Sequence, residues 1–240
     1  MVGTHTGRRA PLSRDAVLVA AVALADEAGL DAVSMRNLSQ RLGVVPMALY
    51  KHVSNKDELV DGMVDVVVGE IERPPSGAGP RDAVRARILS ARRALQRHPW
   101  APRAIETRTG ATPVVLDHMN ALAGDFLTGG FSADLTHHAM HALGSRMWGF
   151  TQEVFPTPST PEDPEVAAAM FAAVSQRHPH IVTIATASDH DPASAVGPGT
   201  GCDDQFEFEF VLDLLLDGFE RLHGRGWSSS ARRPASGPGR

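Results

Sequence analysis

Lys51 and Lys56 are the only lysines in a chain of 240 residues, and they stand five apart in one short stretch. Residues 1–56 hold seven basic side chains (Arg8, Arg9, Arg14, Arg36, Arg41, Lys51, Lys56) against four acids (Asp15, Asp26, Glu27, Asp31), a net of +3. The remainder holds 16 basic against 24 acidic side chains, a net of −8. A basic head on an acidic body is the electrostatic pattern of a protein that touches phosphate with one end only. The overall charge of −5 hides that asymmetry. Imidazoles form a second group. His118, His137, His138 and His141 lie in the body, and His137 and His141 are four apart, which on one helix face is metal-ligand spacing. A lone pair at that spacing more often lines a surface or a pocket, so no metal is assigned to it. The sequence has no nucleophile elbow, no acid pair at a useful spacing and no Gly-rich cofactor loop. The alternative of a helical enzyme or metal-binding protein therefore rests on His137 and His141 alone.

The two lysines need a scaffold, and residues 34–59 read as one. Two short helices are joined by a tight turn, and a third helix starts directly after. Met35, Leu38, Leu42 and Val44 form one apolar stripe, and Leu49 and Val53 form a second. Gly43 sits where the first helix should stop, because glycine enters the left-handed region without penalty. Pro46 falls in the first turn of the next helix, where a missing N–H does no harm. Ser54 is expected as the N-cap of the following helix, with Asp57 and Glu58 in its first turn. Two short helices across a Gly turn make a helix-turn-helix, whose second helix is of the size that enters a DNA major groove. Upstream, Ser13 caps a helix that runs to about Ala28 with Val17, Ala20, Ala21, Leu24 and Ala28 as its apolar face; Gly29 ends it.

The string LGVVPMALYKHVSNK, Leu42 to Lys56, resembles the DNA-binding domain of the tetracycline-repressor (TetR) family. The resemblance is specific over about residues 12–68. Beyond that, His98-Pro99-Trp100 and Gly129-Gly130-Phe131 are similar to the ligand-binding half of the subgroup around the family's namesake. The resemblance implies DNA contacts from Ser34, Arg36, Val45, Pro46, Met47, Ala48, Tyr50, Lys51, His52 and Lys56. Arg36 matches an arginine that reaches a guanine; its planar fork suits O6 and N7, worth about 1–3 kcal/mol of discrimination. Lys56 matches a lysine that meets phosphate, and Tyr50 and His52 match groove- and backbone-facing positions. Val45, Pro46, Met47 and Ala48 depart from the pattern. The namesake has polar base-reading residues among them, whereas apolar ones suit thymine methyls, so the operator is expected to differ. Lys51 stands where an aromatic residue stands there. In the body, the resemblance implies a histidine and a glutamate around a magnesium-bound drug. Those positions fall on Ala104 and Glu153, and a second drug-contacting histidine falls near Glu72, so the tetracycline site is mostly absent.

Residues 74–80 break the chain. A helix over 81–97 follows, with Val84, Ile88, Ala91 and Leu95 inward, then an irregular segment over 98–112 and a helix over 113–127 stopped by Gly129-Gly130. Ser132 caps a long helix over 132–155, and an Ala-rich helix covers 165–177. Residues 181–187, IVTIATA, are ambiguous between helix and strand. The last helix, 203–225, is apolar nearly all round, from Phe206, Phe208 and Phe210 to Phe219 and Leu222. A helix apolar all round is buried all round, so one side of it needs a partner. Packing this helix and the 132–155 helix against their copies gives a homodimer, which the resemblance also implies. Trp100, Arg103, Ile105, His118, Met119, Leu122, His141, Met147, Trp148, Phe150, Glu153 and Phe171 are the candidate lining of an effector pocket, large apolar groups with a few polar ones.

The expected fold is all-α: a three-helix helix-turn-helix head over 12–56 followed by a larger helical ligand-binding and dimerisation domain over 57–225. Residues 1–11 and 226–240 are expected to be a disordered arm and tail. The expected function is that of a homodimeric repressor, released from double-stranded operator DNA by a small apolar or amphipathic molecule, with no cofactor and no metal. No run approaches the ~18 apolar residues of a membrane span. The amino terminus lacks the apolar core of a secretory signal. The single cysteine, Cys202, fits a reducing cytoplasm.

Overall fold

A computed structural model describes residues 11–148, 163–187 and 204–232, with side chains for all of these but 145–148, 184–187 and 232. Every regular element among the described residues is helical. The order is α1 (Arg14–Ala28), α2 (Met35–Leu42), α3 (Pro46–Leu49), α4 (Lys56–Gly69), α5 (Pro80–Arg97), α6 (Ala101–Glu106), α7 (Pro113–Thr128), α8 (Ala133–Trp148), α9 (Pro164–Arg177), α10 (Pro179–Ala187) and α11 (Asp204–Gly224), with short 3-10 turns at Leu30–Ala32 and Ser229–Arg232. Contacts divide the chain into two compact units, residues 1–149 with 222–240, and residues 150–221.

In the first unit, α1 packs on α2 and α4. Ser13 Oγ accepts the Ala16 N–H at 3.1 Å and starts α1 as expected. The buried face of α1 is Val17, Leu18, Ala21, Val22 and Ala25; Ala28 is exposed and Leu24 half-buried. The expected stripe was thus set one residue too far round, because α4 crosses α1 close beside Leu18. A Cβ on Gly62 would lie 2.6 Å from Leu18 Cδ2, so the bare glycine is what admits that approach. Leu38, Leu49, Val53, Leu59 and Met63 complete a core in which each is at most 1% exposed.

The turn after α2 is a Schellman motif. Gly43 takes φ 63° and ψ 40°, its N–H reaches Gln40 O at 3.1 Å, and the Val44 N–H reaches Ser39 O at 3.0 Å. A Cβ here meets the left-handed penalty of about 1–2 kcal/mol. Gly43→Ala is therefore expected to lower unfolding free energy by that amount, read as a lower urea midpoint at unchanged slope; an unchanged midpoint would show that the turn tolerates a side chain.

Four local readings change. The N-cap of α4 is Asn55, not Ser54: Asn55 Oδ1 accepts the Glu58 N–H at 2.8 Å, and the Ser54 N–H donates to Glu58 Oε2 at 2.7 Å. With Asn55 as cap, Glu58 is three residues in, where its carboxylate can reach back to the chain before the helix. Residues 101–106, expected to be irregular, form α6, and IVTIATA lies in the helix α10, which packs on α9. Residues 226–232, expected to belong to a disordered tail, are ordered. Ser229 N and Oγ donate to Asp134 at 2.6 and 2.8 Å, holding its carboxyl below the usual carboxylate range. The 1–10 arm, residues 233–240, residues 149–155 of the long helix and Cys202 lie outside the described residues.

Candidate nucleic-acid interface

Ser34 starts α2 by accepting the Asn37 N–H on Oγ at 3.2 Å. Its position one residue before α2 puts Arg36 in the first turn, where its side chain is exposed. Val45, Pro46, Met47, Tyr50, Lys51 and Lys56 are exposed as well, and Ala48 and His52 are half-buried. The helical part is shorter than a full recognition helix: α3 has four residues, and the chain then winds on through His52 N–H to Leu49 O at 2.8 Å and Val53 N–H to Leu49 O at 3.0 Å. Leu49 and Val53 anchor this segment in the core. The opposite side presents Val45 at 68% and Met47 at 72% exposure, with Tyr50 beside them. Isolated exposed apolar residues are ordinary; three within six positions, flanked by Arg36, Lys51 and Lys56, form a surface for apolar base edges bordered by phosphate-binding charges.

The cations behind this surface are already paired. Arg41 Nη1 and Nη2 donate to Glu27 Oε2 and Oε1, both at 2.6 Å, which fastens α2 to the end of α1 and lowers the Glu27 pKa. Arg14 Nε lies 3.9 Å from Glu58, whose pKa is lowered chiefly by the Ser54 backbone N–H. Among the described residues, Arg36, Lys51 and Lys56 form no such ion pair.

A row of acids ties this head and α4 to the segment around α6, and sequence reasoning missed it. Asp26 Oδ1 on α1 accepts Trp100 Nε1–H at 2.7 Å and lies 2.8 Å from His98 Nδ1. The other nitrogen of His98 lies 3.2 Å from Glu70 Oε1, and Arg97 donates to Glu70 Oε2 at 2.6 Å. Arg103 meets Asp31 at 3.3 Å, Arg108 meets Asp61 at 3.1 Å, and Thr112 Oγ1 donates to Asp65. Asp57, Asp61 and Asp65 recur every four residues along one side of α4; that spacing was the available signal.

These contacts relocate two expected pocket residues. Trp100 is buried with its indole N–H committed to α1, and Arg103 is solvent-exposed. Ile105 is half-buried, Met119 and His141 are exposed, and Leu122 is buried. Phe171, on α9 in the second compact unit, is exposed. Met147 and Trp148 end α8 with side chains outside the described residues, as are Phe150 and Glu153 altogether. His118 is half-buried on α7. Burial, reinforced by Arg87, pushes its imidazole down to about 4. His137 and His141 are exposed with ring centroids 4.6 Å apart. Among the described residues no group of three or more His, Cys, Asp or Glu could hold a metal ion. Ala104, at the position the resemblance gives to a metal-binding histidine, is fully buried and offers no donor. Two open clefts, one of about 390 Å³ beside Asp57, Asp61 and Arg108 and one of about 420 Å³ beside Arg73, Arg85 and Arg93, contain none of the pocket residues named from the sequence. No helix among the described residues is long and apolar enough to cross a membrane.

Residues 17–63 match the family model for bacterial regulatory proteins of the tetR family, and residues 74–223 match the tetracyclin repressor-like C-terminal domain. An HTH-type transcriptional regulator of Saccharopolyspora erythraea is 38% identical over 121 residues, 50% of this chain and 51% of that protein. An HTH-type transcriptional repressor of Streptomyces coeruleorubidus is 36% identical over 115 residues, 47% of this chain and 43% of the relative. The chain thus matches about half the length of these curated relatives. A crystal structure of ActR from Streptomyces coelicolor in complex with actinorhodin superposes with a TM-score of 0.66 at 26% identity, over 91% of this chain and all of that one. The two family models together span most of the sequence, and the chain belongs to the tetR family of bacterial regulatory proteins.

Proposed function

We propose that this chain is a homodimeric transcriptional repressor: residues 12–56 bind a pseudo-palindromic operator, and residues 57–225 bind an effector and dimerise. The observation that carries the reading is the exposed surface of Val45, Met47 and Tyr50, bordered by Arg36, Lys51 and Lys56, which have no carboxylate partner among the described residues, and held on a core-anchored helix-turn-helix. The similar proteins named as a transcriptional regulator and a transcriptional repressor support it and leave the enzyme alternative without a relative. A DNA partner makes the cytoplasm its place of work.

The effector is a small apolar or amphipathic molecule. ActR, similar in fold, is found with actinorhodin bound; the buried Ala104 argues against a magnesium-held tetracycline here. Release is a coupling free energy between the two sites, so the effector must prefer the dimer shape whose heads do not fit the groove spacing.

The test uses a duplex selected from a random pool by the purified protein. Arg36→Ala is expected to weaken binding about 5- to 150-fold and relax one base position. Lys56→Ala should weaken binding to all duplexes and reduce the salt slope by about one. Recovery of no pseudo-palindromic duplex, or wild-type isotherms from both variants, would sink the proposal.

A further inference from the structure

Among the described residues, three buried side-chain polar atoms find no hydrogen-bond partner: His118 Nε2, Thr136 Oγ1 and Arg108 Nε. Such orphans are few in native proteins, and each marks strain or a place reserved for another molecule. Arg108 is otherwise engaged with Asp57 and Asp61. His118 is different. It lies on α7 one turn before the buried Leu122 and two turns before Asp125, so the three share a face, and α7 packs on α5. Opposite, on α5, Arg87 donates from Nε to Asp125 Oδ2 at 2.8 Å in a pair that is largely buried. Thr136, the second orphan, is on α8, which packs on both α5 and α7. The unfilled polar atoms therefore lie where three helices of the body meet.

We propose that His118 Nε2 is the polar anchor of the effector site, and that the effector offers it a weakly acidic hydroxyl, a phenol or enol, on an otherwise apolar ring system. The inference rests on the effector reading above and gives the chemistry of its ligand. A hydroxyl both donates and accepts, so it pairs with Nε2 in either tautomer of the neutral ring, which a carbonyl or an ether cannot do. The ring is neutral at pH 7, since burial holds its pKa near 4. The Arg87 guanidinium, paired with Asp125, lowers the pKa of this ring more than Asp125 raises it. A nearby guanidinium favours electron density on a phenolic oxygen over an ammonium group. Leu122, buried one turn away, supplies apolar surface for the rest of the molecule.

Three probes on one skeleton test this with the full chain: 2-naphthol, 2-methoxynaphthalene and 2-(aminomethyl)naphthalene. Calorimetry follows their binding, and the anisotropy of a labelled operator follows DNA release. The naphthol is expected to bind about tenfold tighter than its methyl ether, with the ammonium compound weakest. One histidine ring-nitrogen NMR signal should move with the naphthol and stay with the ether. In His118→Phe the naphthol and the ether should bind equally, and the apo variant should melt no lower than wild type, because an orphaned polar atom has been removed. Equal affinities in the wild type, a preference that survives in His118→Phe, or a clear fall in its melting temperature each overturn the assignment. Probes that bind and release DNA without hydroxyl preference leave the effector reading standing and remove His118 alone. Failure of all three probes to bind removes the effector reading and this inference with it.

Discussion

Replacing Asp26 with alanine is expected to lower the stability of the first compact unit by about 2–6 kcal/mol, a larger effect than at any other exposed carboxylate of the head. The magnitude follows from what the carboxylate satisfies. Its Oδ1 accepts the Trp100 indole N–H at 2.7 Å and lies 2.8 Å from His98 Nδ1, and both rings are buried. Alanine leaves two buried polar atoms without partners, at about 1–3 kcal/mol each. Asp26→Asn keeps one oxygen acceptor and should lose about half as much. The functional consequence is sharper than the loss of stability. The rings belong to residues 98–100, between α5 and α6, while Asp26 belongs to α1, so the contact is one of the fastenings through which the body can turn the head. In Asp26→Ala, operator affinity should persist at low temperature while its sensitivity to effector falls, because a direct contact between α1 and the segment before α6 has been removed. The checks are a urea titration and paired operator titrations with and without effector. A midpoint equal to wild type would remove the node from the account of stability. An undiminished effector response would remove it from the account of coupling.

That node also marks the limit of legibility. The start of α1 was readable because its cap is a contact three residues long, Ser13 to Ala16; the caps of α2 and α7, Ser34 to Asn37 and Thr112 to Val115, are just as local but were not read. The left-handed stop at Gly43 is equally local. Ser54 and Asn55 are both good caps side by side, and the choice fell to the position of Glu58, which only the folded chain displays. The helix α10 was obscured by its β-branched residues, whose weak helix propensity tertiary packing overrides. The helix α6 is six residues long and sits in a segment anchored from outside by Asp26, Asp31 and Asp61. Partners 47 to 74 positions away leave no periodic trace in the segment they hold. For the same reason Trp100 read as pocket lining: an aromatic residue near a break signals burial, but not which polar atom its N–H will find.

Replacing Phe210 with glutamate is expected to convert the dimer into monomers, and α11 itself supplies the argument. Phe208, Leu212, Leu216 and Phe219 are buried. Phe206, Phe210 and Leu214, four residues apart on another face, are 59%, 51% and 54% exposed, and the two phenyl rings stack with centroids 6.4 Å apart. The sequence pointed to a helix apolar on nearly all sides, and under the proposed homodimer the exposed positions of this stripe are where a second copy is expected to pack. Leu215, near the middle of the helix, is half-buried and so a poorer site for the test than Phe210. These side chains are already about half covered, so burying the rest contributes about 0.8–1.6 kcal/mol each, and two-fold symmetry uses the stripe twice, for roughly 5–10 kcal/mol before the cost of association. A micromolar dimer needs about 8 kcal/mol net, so further surface beyond this stripe must contribute. Phe210→Glu removes one side chain from each copy and sets two carboxylates into the same apolar seam, where neither has a cationic partner on the stripe. Sedimentation velocity at micromolar concentration should therefore show wild-type dimers and Phe210→Glu monomers, with helical content preserved by circular dichroism. The monomer should retain single half-site binding at low salt and lose the affinity that comes from holding two half-sites one helical turn apart. A Phe210→Glu protein that still sediments as a dimer would place the interface elsewhere. A wild-type chain that sediments as a monomer would undo the symmetric operator as well, since a pseudo-palindrome is read by two heads.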